Sequence, residues 1–428
     1  MKAKKIVALI LLFLIFQALS KYWSPVKCSS EQKSHPNVFV GIDVAYDNFT
    51  EIKSLVDETC SYINLVIIGC KGITHNATRL NEACQYLYDK GLYFIVYSEE
   101  PPHAEFLKEI EENWDDRFLG FYAFDEVGGC QLDYREYRAV LAAHNHTHAA
   151  NQFEDIVKHV LEWYTRNYTN STRFPLFTSD YALYWFDYKA GYDVVLAQLG
   201  WNYSRQLNIA LCRGAATAQN KEWGVIITWT YTHPPYIESG EELYKDLVLA
   251  YDNGAKYIVI FDSNKEYTQG ILREEHLQAL KRFWEYVQNN PRNSSPVSDR
   301  VAFVLPEDYA YGFRGPDDKI WGFWQADDFS YDLSVTLGKL LIDFGPKLDV
   351  IYEDGLQLGS PYVYGKLLYW NDPILSLNSN QIEYPFPPII YLVVIVAATV
   401  IAVATLMVIR RKRKVANNKP EIKNLCQK

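Results

Sequence analysis

The sequence predicts an α/β fold: a (β/α)8 TIM barrel followed by a small α/β domain and a C-terminal transmembrane helix. Three observations predict it. Eight short apolar or β-branched runs recur with amphipathic stretches between most of them, a linker-like segment precedes a second short α/β pattern, and residues 389–409 carry no charge.

The eight runs are VFVGIDVAY from Val38, YINLVIIG from Tyr62, LYFIVYS from Leu92, FLGFYAFDE from Phe118, PLFTSD from Pro175, DVVLAQLG from Asp193, GVIITWTY from Gly224 and AKYIVIFD from Ala255. Near-continuous apolar strands indicate a parallel sheet covered on both faces. Helical patterns cover Phe49–Cys60, Arg79–Lys90, Ala104–Asp115, Asn151–Asn167, Arg205–Asn220, Gly240–Asn253 and Ile271–Asn289. The fifth connection, Tyr181–Gly191, is too short for a long helix. An open doubly wound sheet is the alternative. Eight is the closing number, and no Gly-rich phosphate loop follows the first strand, so the barrel is preferred over residues 36–290.

NNPRNSSPVS reads as a linker, assigned to 291–298. VAFVLP from Val301, a helix around Ser330–Phe344 and LDVIYED from Leu348 make a small α/β domain over 299–375. A stalk over 376–388 leads to IIYLVVIVAATVIAVATLMVI, residues 389–409, close to the ~20 apolar residues that cross a bilayer as a helix. RRKRK follows, which places the tail, 410–428, in the cytoplasm and the body outside. Residues 1–20, with an early lysine cluster, an apolar run and small residues Ala18 and Ser20, read as a secretion signal. The expected location is therefore the cell membrane, single-pass, with the ectodomain outside.

Charge sharpens this division. The chain has 42 Lys plus Arg against 52 Asp plus Glu; residues 21–388 hold 31 of the basic and 51 of the acidic side chains. So acidic a body repels a phosphate backbone, and nucleic acid is excluded as a partner. Sequons begin at Asn48, Asn76, Asn145, Asn167, Asn170, Asn202 and Asn293, all in the proposed exterior part, which reads as a glycoprotein. Six of the seven cysteines also lie there and permit up to three disulfides, with buried free thiols as the alternative. No C-x-x-C pair points to zinc, and neither a metal nor a cofactor is expected.

In a parallel barrel, functional residues sit at the C-terminal ends of the strands. Those ends present Asp43 and Tyr46; Tyr97, Glu99 and Glu100; Asp125 and Glu126; Asp180; Gln198 and Trp201; Trp229 and Tyr231; and Asp262. Carboxylates interleaved with rings suit a neutral polyhydroxylated ligand, a carbohydrate or glycan. Hydrolysis of a glycosidic bond needs one protonated and one ionised carboxyl group, and this mouth has enough for both.

The strand order and the strand-four ending FLGFYAFDEVGG resemble TIM-barrel glycoside hydrolases. The resemblance implies a general acid after strand four. Many such enzymes have Asn-Glu there and a second Glu at the end of strand seven, whereas this chain has Asp125-Glu126 and no strand-seven carboxylate before Glu238. Gly120, Phe121 and Glu126 also fall in the frame of the chitinase strand-four signature, but Leu119, Tyr122 and Phe124 stand where that signature has acids.

Glu126 is the expected general acid, tuned by the like charge of Asp125. Asp262 is the first expected partner, then Asp180 or Asp43. Asp43, Tyr97, Glu99, Asp180, Gln198, Trp201, Trp229 and Tyr231 are the expected substrate-binding set. Alternatives stand beside each: Asp125 and Glu126 capping the next segment, Asp262 closing an Asx turn, the large rings packing the barrel top. His144, His146 and His148 alternate as metal ligands would, or lie in a solvated loop. Arg213 could meet an anionic ligand or be an exposed helix residue. Trp321 and Trp324 could form a flap over the mouth or a packing loop. The two function classes are a membrane-anchored extracellular glycoside hydrolase and a non-catalytic carbohydrate-binding or surface-structural protein.

Overall fold

The computed structural model describes residues 36–168, 173–292, 296–356 and 364–372. All eight expected strands are present: β1 (Phe39–Val44), β2 (Leu65–Ile68), β3 (Tyr93–Ser98), β4 (Phe118–Ala123), β5 (Leu176–Asp180), β6 (Val194–Leu199), β7 (Glu222–Ile227) and β8 (Tyr257–Asp262). They run parallel in sequential order, and β8 pairs with β1 over six residues to close the barrel. The open-sheet alternative is thereby excluded.

Helices cover the outside: α1 (Phe49–Thr59), α2 (Lys71–Thr74), α3 (Ala77–Asp89), α4 (Ala104–Glu109), α5 (Val127–Asp133), α6 (His146–Tyr164), α7 (Tyr184–Ala190), α8 (Arg205–Ala218), α9 (Gly240–Asp252) and α10 (Glu274–Asn289). Their starts follow side-chain chemistry. The carbonyl oxygens of Asn48, Asn76 and Asn145 accept the third amide of α1, α3 and α6, and the Ser204 and Ser239 hydroxyls do the same for α8 and α9. The fifth connection holds only the short α7, as its length required.

Period-two alternation decides what each strand sends inward. Phe39, Ile67, Ile95, Phe177, Leu196, Ile226 and Val259 belong to the packed interior, together with Tyr122. In β4 the pairing with β3 jumps from Phe118 to Gly120, so Leu119 is an extra residue. Such a bulge re-aims the strand beyond it.

A second sheet follows, in the order β10–β9–β11, built from β9 (Val301–Leu305), β10 (Leu348–Tyr352) and β11 (Lys366–Tyr369), with α11 (Asp328–Phe344) between β9 and β10. The sequence reading contained β9, α11 and β10 but not β11, whose KLLY run is short and opens on lysine. Barrel and second sheet belong to one compact unit. Arg213 of α8 is the joint. Its Nε donates to Asp349 Oδ1 at 2.6 Å, its other nitrogens donate to the Pro346 and Leu348 carbonyls and to Asn253, and Arg300 holds Asp349 Oδ2 at 2.7 Å. Gly214 makes the approach possible, because a Cβ there would lie 2.2 Å from the Val350 carbonyl oxygen. Both sequence readings of Arg213 are therefore corrected: it is neither exposed nor open to an anion.

Trp321 is fully buried against Phe153 and Phe186, and its Nε1 donates to the Asp308 carbonyl. This is packing and not a flap. His146 opens α6, with its ring against Trp324, and His144 stacks on His148. Among the described residues no group of His, Cys, Asp and Glu is arranged to hold a metal. Cys60 is disulfide-bonded, whereas Cys70, Cys84, Cys130 and Cys212 are free thiols. The expected signal, the stalk, the transmembrane helix and the tail lie outside the described residues; among the described ones, no helix is long and apolar enough to cross a membrane.

Candidate active site

Strand parity sorts the expected carboxylates. Asp43 is in phase with the inward Phe39, whereas Asp180 and Asp262 are out of phase with Phe177 and Val259 and turn toward the helix layer. Asp262 Oδ1 accepts the amides of Ile271 and Leu272 at 2.6 and 3.0 Å. Burial pushes Asp262 up to about 6, against those two donors. Asp180 accepts four backbone amides, from Gly128, Gly129, Tyr181 and Ala182, at 2.6 to 3.0 Å. Burial lifts it to about 7 against the same amides. Both groups hold loops in place: Asp262 fixes the segment after β8, and Asp180 ties the start of α5 to the end of β5.

Asp125 and Glu126 stand apart from these. Asp125 Oδ1 accepts the Tyr122 hydroxyl at 2.5 Å and the Ser179 hydroxyl at 2.8 Å. Glu126 Oε1 accepts the Gln198 side-chain amide at 2.8 Å, and the same amide nitrogen donates to Ser179 Oγ at 2.9 Å. The two carboxyl groups are thus joined through Ser179 and Gln198 by three links of 2.8, 2.9 and 2.8 Å. That chain keeps them within the roughly 9.5 Å upper limit used in glycoside hydrolysis. Asp125 is exposed to solvent, and Glu126 beside it is half-buried.

The electrostatics follow from this placement. No Lys or Arg pairs with Asp43, Asp125 or Glu126 among the described residues. Burial raises Glu126 to about 8, and the neighbouring Asp125 charge adds to the effect. Burial also raises Asp125, but the Tyr122 and Ser179 hydroxyls pull it back. Two hydroxyl donors stabilise the charge on Asp125, while Glu126 has one amide donor. The proton shared by the pair therefore rests on Glu126. Asp43 is buried with an unpartnered Oδ1 and is pushed well up by burial, then by Asp125 and Asp262. Its side chain reaches over the end of β2 because Gly69 leaves room: a Cβ there would fall 2.1 Å from Asp43 Oδ1.

Backbone geometry marks the same rim. Phe124, Glu126, Leu183, Trp201 and Tyr267 have positive φ without being glycine. Left-handed non-glycine residues are costly and gather where surrounding structure enforces them, as at functional sites.

The remaining expected residues divide. Tyr97 packs edge-on to Tyr122 at 5.2 Å and donates to Glu99, which is ion-paired with Lys71 at 2.6 Å. Burial works to raise Glu99, but Lys71 and Tyr97 outweigh it and hold the carboxyl below its usual value. Glu99 is thus neutralised, unlike the strand-four pair. Trp229 donates to the Ser263 carbonyl and packs on Phe261 and Tyr236, closing the barrel top. Trp201 and the exposed Tyr231 line an open cleft of about 470 Å³ with Thr230 and His233, beside the strand-six and strand-seven loops.

Ser179, Tyr122 and Tyr267 were missed from sequence. Ser179 was legible as the inward neighbour of Phe177 in β5. Tyr122 was hidden by the bulge that shifts the parity of β4. Tyr267 lies five positions beyond the end of β8 at Asp262, and it raises no signal in sequence although its hydroxyl is within electrostatic reach of Asp43, Asp125 and Glu126.

No protein-family model and no curated protein matches this chain. Solved structures do. A GH5_18 structure from Streptomyces cattleya in complex with GlcNAc is similar at 11% identity and TM-score 0.50, over 79% of this chain and 100% of that one. The shared feature is the TIM-barrel fold. Alpha-L-fucosidase isoenzyme 2 from Paenibacillus thiaminolyticus gives TM-score 0.41 at 10% identity, over 74% of this chain and 58% of that one. A GH30 endoxylanase from Clostridium papyrosolvens gives 0.36 at 9%, over 61% and 74%. At 11% identity the likeness to the GH5_18 structure shows the barrel fold alone.

Proposed function

We propose that this protein cleaves glycosidic bonds of a polysaccharide or glycan, with Glu126 as general acid and Asp125 as the ionised partner. The supporting observation is the uncompensated Asp125–Glu126 pair at the end of β4, in which burial and the adjacent charge keep the proton on Glu126. Glu126 delivers that proton to the departing glycosidic oxygen, and a water molecule then adds to the sugar carbon so released and returns a proton to Glu126. Asp125, held by Tyr122 and Ser179, opposes the positive charge that develops on the sugar ring. Gln198 fixes the carboxyl of Glu126, Asp43 accepts or donates to sugar hydroxyls from across the mouth, and the Trp201–Tyr231 cleft gives ring faces for a further sugar unit. The partner role passes from Asp262 to Asp125 because the amides of Ile271 and Leu272 occupy Asp262.

The uncharged stretch 389–409 and the basic run after it support anchoring of an extracellular body in the cell membrane by one helix. A second reading, carbohydrate binding without turnover, is favoured by one observation. No carboxylate stands at the end of β7, where the resembling enzymes carry a Glu, and the next one along the chain is Glu238. Release of reducing sugar from a glycan panel, measured for wild type and Glu126→Gln, decides between them. Turnover lost in the variant supports hydrolysis; turnover equal in both refutes the assignment of Glu126; binding by both with turnover by neither establishes the second reading.

A further inference from the structure

We propose that the outside of the barrel carries a second ligand pocket, for a small amphipathic amine, in the wedge between α3, α4 and the ends of β3 and β4. This site is independent of the mouth. A cavity of about 370 Å³ opens there, enough for a ligand of a dozen or so heavy atoms. Its floor is Leu80, Val96, Phe106 and Phe121. Val96 and Phe121 are out of phase with the inward Ile95 and Tyr122, so this floor faces the helix layer and shares nothing with Glu126.

The rim has the opposite character. Glu100, Glu105 and Glu109 stand around it, and none is in an ion pair among the described residues. Glu109 accepts only the Asn113 amide, at 2.6 Å, and Lys108, the nearest cation in sequence, is turned to Glu112. His75 and His103 complete the polar edge. In the wall, the Thr74 hydroxyl oxygen is buried and has no hydrogen-bond partner. Three unbalanced carboxylates, an unsatisfied hydroxyl and an apolar floor together ask for one ligand chemistry: an ammonium group on an apolar body. An anion is repelled by the rim, and a neutral apolar molecule leaves the hydroxyl and the charges unmet. The carboxylates do not converge as a metal cage. Phe106 and Phe121 meet edge-on, with centroids 6.3 Å apart, and offer a ring face to the cation. The helix bearing Phe106 and Glu109 continues into a π-helical turn, Ile110–Trp114, a distortion that recurs at binding sites.

The test uses the full chain with phenethylamine and its neutral counterpart 2-phenylethanol, by calorimetry and saturation-transfer NMR. Phenethylamine is expected to bind at least tenfold more tightly than the alcohol, and to weaken several-fold when salt is raised from 50 to 500 mM. The double variant Glu105→Gln/Glu109→Gln is expected to weaken the amine at least fivefold with its thermal midpoint unchanged, since both residues are peripheral; Phe106→Ala is expected to weaken both probes. Glu126→Gln is expected to leave binding as it is. Equal affinity for amine and alcohol, no binding of the amine, or binding lost in Glu126→Gln and kept in the double variant would each overturn the proposal.

Discussion

Replacing Glu126 by Gln tests the electrostatics of the mouth without any substrate. The carboxyl is raised from 4.5 to about 8, by burial first and by Asp125 second. Its folded value lies above its unfolded one, so between those limits the folded protein keeps a proton that the unfolded chain has released. Stability from this group is full below about pH 4.5 and is lost as pH rises through about 8. Full linkage over that range corresponds to about 5 kcal/mol. Glu126 is partly open to solvent and shares its titration with Asp125, so roughly 2 kcal/mol is the expected difference. For a body of this size that is a change of about 3 °C in Tm. The glutamine still accepts the Gln198 amide, so the fold is preserved. Thermal unfolding of both proteins between pH 5 and 8.5 should show wild type losing more stability than Glu126→Gln, while Asp180 and Asp262 contribute equally to each. Parallel curves, or a Glu126 carboxyl that titrates near 4.5 by NMR, would refute the reasoning.

Three other substitutions probe the frame. Asp180→Ala orphans the amides of Gly128, Gly129, Tyr181 and Ala182 and is expected to cost about 3 kcal/mol or more by urea unfolding; a cost under about 1 kcal/mol would show that the clamp is unimportant. Arg213→Met leaves Asp349 buried with Arg300 alone and should cost about 3 to 5 kcal/mol, and pairing it with Asp349→Leu should recover much of that loss. Gly69→Ala drives a methyl into Asp43 Oδ1, so it should cost about 1 to 3 kcal/mol by calorimetry and weaken glycan binding; unchanged binding would remove Asp43 from the site.

The barrel was legible because its strands are apolar on both faces and its helices carry a 3.6-residue period, two patterns set by burial alone. The mouth was legible in part. Naming strand ends collected Asp125 and Glu126, which Ser179 and Gln198 link, and it also collected Asp180 and Asp262, whose parity with Phe177 and Val259 turns them outward. Parity was there to be counted. The bulge at Leu119 was not, since it depends on how β3 and β4 pair. Nor did the local pattern around Arg213 carry any trace of Asp349, which lies 136 residues away. Contacts of that reach follow from topology, and a short run such as KLLY becomes a strand only because β9 offers an edge to it.

The helix-capping asparagines have one more consequence. Asn48, Asn76 and Asn145 each head a sequon, and each caps its helix with the carbonyl oxygen of the side chain. The amide nitrogen, the atom to which an N-linked sugar attaches, makes none of these backbone cap bonds, although that of Asn48 donates to Glu51 Oε2 at 3.2 Å. Decoration at these positions leaves the helices intact. All three lie in the connections that run from a strand to the helix they cap, Asn76 after α2 and Asn145 after α5, and Asn202 follows β6 directly, so attached sugars would stand as a collar around the barrel mouth. Were sugars attached at these sequons, such a collar would admit a slender chain end-on and turn away a broad particle.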